Sequence, residues 1–334
     1  MIDSTRLPAP EFSSPLAAAL TRFLAFKRAA GYRYREEARA LAVLDQFLTA
    51  HLVPDDPVIT LDVIRRYVAR WGHESETTRA HRLSLIRQVC RFLALEEPRT
   101  AVPLPRFLAI HRRTFVPRVL SQEEGHRFLN ACGTLATSPC SPLRDTVLGT
   151  ALVLLYLTGL RTGEVLRLTT ADVDLDATVL HVRETKFGKS RLVPVALDVA
   201  TRLHRCRVTV EGHFGARSPE GPFFPAPSGR RYSSTALRAA FHQVLALAGI
   251  PRRSGGRSLR LHDLRHGFAV LRLLVWYQQD VDLAAVLPAL ATYLGHVGLA
   301  SSQRYLQLTV DMVGEVMRRH ERRFGHLITD GGQP

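Results

Sequence analysis

At 334 residues and 37.3 kDa, with 46% hydrophobic residues, the chain is too long for one typical compact domain and can bury two real cores. Its 45 basic residues against 30 acidic ones give a net charge of +15. The excess is spread, +6 over residues 1–117 (18 basic, 12 acidic) and +9 over 118–334 (27 basic, 18 acidic), which excludes a single charged tail or membrane anchor and points to a polyanion such as nucleic acid.

Helical periodicity runs through residues 12–96. One segment spans Leu16 to about Ala30, with Leu16, Leu20, Phe23, Leu24 and Lys27 spaced for one face, and Gly31 stops it. A second, Glu36 to Leu52, repeats Ala40, Leu44, Phe47 and Leu48. A third follows the N-cap residue Thr60 through Trp71, and a fourth runs from Thr77 to Leu95. These predict a small helical bundle with Arg on its outer faces and nothing catalytic inside it.

Residues 97–118 break the pattern. Pro98, Pro103, Pro105 and Pro117 interleave with Arg99, Arg106, Arg112, Arg113 and Arg118. Prolines this dense resist helix and favour an extended strap. The segment reads equally as an interdomain linker and as a basic strap along a phosphate backbone.

From Ser121 helices resume, and Asp145 to Leu157 is apolar enough to be core. One clear β region follows: Thr178 to Arg183 alternates, Thr185 to Ser190 turns, and Arg191 to Val195 returns. Residues 207–231, rich in Gly, Pro and Arg, read as loop, Ser233 to Ala248 as helix, and Pro251 to Arg260 as a basic loop carrying Arg257. Helices then continue to about Arg323. The expected organisation is a helical domain over 1–98, a basic Pro-rich linker over 99–117, a second domain over 118–326 and a flexible tail over 327–334. The fold class is mainly α with a small β-hairpin.

The longest apolar run, Ala151 to Leu160, falls far short of the ~20 residues of a membrane span. Residues 1–10 lack the basic-then-apolar layout of a secretion signal. Cys90, Cys132, Cys140 and Cys206 show neither CxxC nor metal-ligand spacing. A cytoplasmic protein with reduced thiols is expected.

Three segments carry chemistry. Arg161 follows Gly159 at a helix start, where a guanidinium and backbone amides together suit a phosphate; alone it would be a surface Arg paired with Glu164, three residues on. His262 and Arg265 are also three apart, hence on one helix face. His296 follows Gly295, and Tyr305 comes nine residues later. Singly each is ordinary. Together they form an ordered set of cations, imidazoles and a phenol, able to attack a phosphodiester with a side-chain oxygen while the phosphate is held. The acidic residues are scattered rather than clustered for two metals, and no Gly loop with a following Lys-Ser/Thr occurs. No metal and no cofactor are expected.

The run Thr158-Gly159-Leu160-Arg161-x-Gly-Glu164, a Lys in a β-turn, His262-x-Leu-Arg265-His266, Leu-Gly-His296 and Tyr305 resembles the tyrosine recombinase (phage integrase) family over roughly 120–325. The N-terminal bundle is similar in kind to that family's core-binding domain. The resemblance implies that Tyr305 is the nucleophile, giving a 3′-phosphotyrosine and a free 5′-hydroxyl. It places Arg161 and Arg265 on the non-bridging oxygens, His262 in proton transfer, His296 in a hydrogen bond to the phosphate, and Glu164 behind Arg161. Lys186 to Pro194 is similar to the family's β-hairpin, whose first Lys is the general acid. Lys186 is therefore preferred to Lys189, which is assigned to the DNA backbone with Arg112, Arg113 and Arg257.

The resemblance further implies double-stranded DNA bearing specific recombination sites, a Holliday junction and a tetramer on DNA. The stretch from Arg265 to His296 looks longer than usual for the family, and Gly267 stands where a small hydroxyl residue is common. Both features resemble transposon-borne recombinases, including tandem groups that act with companion recombinases. After Tyr305, residues Val310 to His326 present Val310, Val313, Val316 and Met317 at helical spacing, a helix expected to dock on a neighbouring protomer. Two alternatives stay open: a type IB topoisomerase-like nick-and-reseal enzyme, and a non-catalytic DNA-binding regulator.

Overall fold

The computed structural model describes residues 10–32, 34–108, 118–183, 190–254 and 257–295. Arg112, Arg113, Lys186, Lys189, His296, Tyr305 and the expected C-terminal helix lie outside the described residues. The chain divides into two compact units, 1–114 and 115–334.

The first unit is built from α1 (Ala17–Ala29), α2 (Arg35–His51), α3 (Leu61–Ala69) and α4 (Glu76–Leu93). Apolar residues at three- and four-residue spacing bury one stripe of each helix, so Phe23 and Leu24 share one core with Leu41, Phe47 and Leu48 of α2 and Ile86 and Val89 of α4. Each such side chain, fully buried, contributes about 1.5–3 kcal/mol of transfer free energy. Thr60 and Ser75 start α3 and α4, their hydroxyls accepting the N–H groups of Val63 at 3.3 Å and Thr78 at 3.2 Å. The buried Asp45 carboxylate accepts the backbone N–H groups of Ser13 and Ser14 at 2.7 and 3.1 Å, pinning the start of the unit to α2.

The proline-rich segment begins as part of this bundle. Ala101 N–H donates to Ile59 C=O at 2.8 Å, Arg87 donates to the carbonyls of Pro103 and Leu104 at 2.8 and 2.7 Å, and Phe107 and Leu108 pack on the core. Arg99 is engaged by Asp56 and Glu97.

The second unit runs α5 (Gln122–Ala131), α6 (Arg144–Thr158), α7 (Thr162–Arg167), β1 (Val173–Asp174), β2 (Val179–Val182), β3 (Arg191–Pro194), α8 (Leu197–Phe214), α9 (Ser234–Leu247), β4 (Arg253–Ser254), β5 (Arg257–Ser258), α10 (Leu261–Gln278) and α11 (Leu283–Leu294). It is mainly helical with a small sheet. The apolar α6 is its axis, buried from Val147 to Leu155 and packed against α8, α9 and α10. Strands β1, β2 and β3 form an antiparallel sheet in that order, with Val179 opposite Pro194 and Val182 opposite Arg191.

Three sequence expectations need correction. Residues 207–214, expected as loop, complete α8. The run Val208-Thr209-Val210 and Gly212 lower local helix propensity, but Leu203, Cys206 and Val210 recur at helical spacing and are buried, so packing overrides propensity. The basic loop 251–260 contains the two-stranded β4–β5 ladder, which places Arg257 on a strand. β1, too short to show alternation, adds a third strand to the expected hairpin. The four cysteines are free; Cys90, Cys132 and Cys206 are buried, and burial pushes each thiol up to about 12. Among the described residues no helix is long and apolar enough to cross a membrane.

Candidate active site

The site grows from the end of α6. Thr158 donates its hydroxyl back to Leu154 C=O at 2.5 Å, and Gly159 closes the helix in the left-handed region (φ 63°). A Cβ at Gly159 would stand 2.7 Å from the Phe268 ring, so both backbone angle and space require glycine. The chain then extends through Leu160, which is buried, into Arg161, the residue that precedes α7.

Glu164, in the first turn of α7, is only 3% exposed. Its carboxylate accepts the Arg161 backbone N–H at 2.9 Å and Arg161 Nη1 at 2.7 Å. From the neighbouring strand, Arg191 donates Nη1 at 3.1 Å and Nη2 at 2.9 Å to the same two oxygens. Burial alone would push this carboxyl up; the hydrogen bonds from Arg191 and Arg161, with the charge of Arg191, outweigh it and hold the group at about 2. Two guanidiniums therefore share one permanently ionised carboxylate.

Three guanidiniums also converge on the end of α11. Arg191 Nε donates to Tyr293 C=O at 2.8 Å, Arg265 Nη2 to Leu294 C=O at 2.6 Å, and Arg161 Nη2 to Gly295 C=O at 2.9 Å. A helix leaves its last carbonyls without intrahelical partners and its C-terminus partly negative. Here three cations satisfy three successive carbonyls. Gly295 sits in the left-handed region (φ 68°), and a Cβ on it would come within 2.7 Å of Arg191. Both the backbone angle and the Arg191 side chain therefore require glycine at 295.

Arg265 also donates Nη1 to Gly159 C=O at 2.9 Å and is buried, linking the end of α6 to the end of α11. Arg161 is the accessible one, its side chain 30% exposed. A guanidinium carries five N–H donors, and among the described residues Arg161 uses two of them on the protein.

His262 and Arg265 lie in the first turns of α10, which Asp263 caps by accepting the Arg260 N–H at 2.8 Å. The His262 ring stands edge-on to His266, centroids 4.7 Å apart. Its pKa is lowered below the ordinary 6.5, first by desolvation and then by the cations of Arg265 and Arg161, with Asp263 opposing. At neutral pH it is an unprotonated imidazole, able to accept a proton.

The sequence profile of the Phage integrase family matches residues 118–312. A putative integrase/recombinase, y4rE of Sinorhizobium fredii, is 35% identical over 92% of this chain and 96% of its own length. The chain belongs to the phage integrase family. As a tyrosine recombinase it shares its fold with distant relatives: a crystal structure of the XerH site-specific recombinase in a post-cleavage complex with difH (TM-score 0.64, 16% identity, covering 93% of this chain and 90% of that one), and a lambda integrase tetramer bound to a Holliday junction (TM-score 0.60, 18% identity, 87% and 76%).

Of the residues expected from sequence to serve this recombinase, Arg161, Glu164, His262 and Arg265 fall in one cluster. Arg257 lies on β5. Sequence reasoning assigned no role to Arg191. A signal was available: on β3, Arg191 shares a face with Val193, which is fully buried, and a cation pointing the same way as a core valine needs an anionic partner.

Proposed function

We propose that this tyrosine recombinase cleaves duplex DNA with Tyr305. The phenol oxygen attacks the scissile phosphorus, the bond from phosphorus to the 5′-oxygen breaks, and a 3′-phosphotyrosine forms. A phenol is protonated at neutral pH, with a pKa near ~10, so the step needs a proton acceptor, and His262, held unprotonated, is that group. Arg161 and Arg265 hold the non-bridging oxygens: Arg161 through donors left to solvent, Arg265 from the buried side, where its charge is weakly screened. His296 donates a hydrogen bond to the phosphate. Lys186 protonates the leaving 5′-oxygen, with Lys189, Arg112, Arg113 and Arg257 on the DNA backbone.

The observation that carries this reading is the convergence of Arg161, Arg191 and Arg265 on the last turn of α11. It gathers three guanidiniums at the helix end, two of them on the buried Glu164 carboxylate, and supports a phosphate site there. Because bond energy is kept in the phosphotyrosine, rejoining to a second strand needs no nucleotide cofactor, and the chemistry described uses no metal. The reaction is strand exchange between two site-bearing duplexes through a Holliday junction, with four protomers on DNA, in the cytoplasm.

The test is a mixture of two labelled duplexes carrying inverted half-sites from the DNA that flanks the gene. Four-armed junctions and recombinant strands are expected from the intact protein. Relaxation of supercoils without any junction would instead indicate a nick-and-reseal enzyme, and binding without cleavage a regulator.

A further inference from the structure

We propose that Arg191 is a positioning residue for cleavage, holding Glu164, and through it Arg161, in the geometry that receives the phosphate. The inference rests on the assignment of Arg161 to the scissile phosphate. Arg191 begins β3, five residues after Lys186 in the chain. Its side chain is 9% exposed, that of Glu164 1%, and it bonds both Glu164 oxygens and Tyr293 C=O. It is therefore too enclosed to receive DNA itself, and it acts through its neighbours.

Remove it and, among the described residues, Glu164 keeps only Arg161 as a cationic partner. A buried carboxylate that loses half of its hydrogen bonds draws its remaining partner closer. Arg161 has one position from which Nη1 reaches Glu164 and Nη2 reaches Gly295 C=O, and a shift toward Glu164 breaks the second bond. The same deletion frees Tyr293 C=O and opens the space that glycine at 295 leaves for the Arg191 side chain. Both changes displace the phosphate clamp while leaving the DNA-facing charge of the rest of the chain untouched.

The test compares Arg191→Met, Arg191→Lys and Arg161→Ala on nicked suicide duplexes. One duplex carries an ordinary scissile phosphodiester. The other carries a methylphosphonate, in which a methyl group replaces one non-bridging oxygen and removes the charge that Arg161 neutralises.

Arg191→Met should bind DNA normally yet cleave the phosphodiester about 100-fold more slowly, the scale of a misplaced catalytic group. On the methylphosphonate the deficit should shrink at least about tenfold. Arg191→Lys, which keeps the charge but not the fork geometry, should fall between, and it serves as the variant to read if Arg191→Met does not fold.

Equal deficits on both substrates for Arg191→Met, with relief for Arg161→Ala, would overturn the role of Arg191 alone. No relief for Arg161→Ala would remove the phosphate assignment on which it rests. Unfolding of both Arg191 variants would make Arg191 a folding residue and overturn the proposal as well.

Discussion

The two units carry comparable excesses of arginine and place them in opposite ways. In the first, pairs such as Arg22–Glu96, with side chains 52% and 58% exposed, lie on the surface of a core held by apolar packing. In the second, Arg161, Arg191 and Arg265 crowd around Glu164 and the end of α11. Exposed pairs contribute about 0–1 kcal/mol. A buried cluster bears a desolvation cost that only mutual pairing offsets, so it fixes geometry more than it adds stability. Charge in the first unit is decoration on a bundle; in the second it is the frame of the site.

The chain offers a direct way to separate the two units, because Trp71 lies in the first and Trp276 in the second, and there are no other tryptophans. The largest contrast should come from the carboxylates. Glu164→Ala leaves two arginines without their anion and should destabilise the second unit by about 3–5 kcal/mol, whereas Glu96→Ala should change the first by no more than about 0.5 kcal/mol. Urea unfolding of Trp71-only and Trp276-only proteins reads each value. Similar small losses at both sites would erase the distinction between surface and framework charge.

Acid sharpens the same comparison. The Glu164 carboxyl is held at about 2 against an ordinary 4.5. Its contribution is therefore fully present above pH 4.5 and is lost as pH falls from there toward 2, by up to about 3 kcal/mol. The Trp276 transition should lose stability through that window, and Glu164→Gln should flatten this part of the profile. If the Gln variant retains the full slope, other carboxyls govern acid unfolding.

A smaller effect on the second unit concerns Gly267, inside α10 and buried. A Cβ there would meet Val119 at 3.7 Å, an ordinary contact. Gly267→Ala should raise the stability reported by Trp276 by about 1 kcal/mol. A loss instead would show that α10 needs this gap for closer packing.

These contrasts also explain what the sequence revealed. The first unit's helices were legible because each pairs a regular apolar stripe with a local start signal such as Thr60 or Ser75. Arg161 and Glu164 were legible because they are three residues apart on one turn. The role of Arg191 is not legible in the sequence, since its partners Glu164 and Tyr293 lie 27 and 102 residues away, and only the folded sheet brings them together. The second half of α8 was missed because its helical state is imposed by burial against the core. The β4–β5 ladder was missed because two-residue strands flanking Gly255-Gly256 offer a turn signal and no alternation.

Covalent cleavage is proposed for Tyr305, under cations organised by Glu164. Tyr293 is the nearest rival in sequence, but its ring stacks on Phe268, its hydroxyl donates to Pro194 C=O at 3.4 Å, and burial pushes its phenol up to about 12. Such a phenol stays protonated at neutral pH. The decisive measurement is peptide mapping of the protein–DNA adduct trapped on a nicked suicide duplex in excess EDTA. The account predicts a 3′-phosphoryl adduct on Tyr305 that vanishes in Tyr305→Phe while DNA binding persists. An adduct on Tyr293, or cleavage that leaves no adduct and requires a divalent metal, would contradict it.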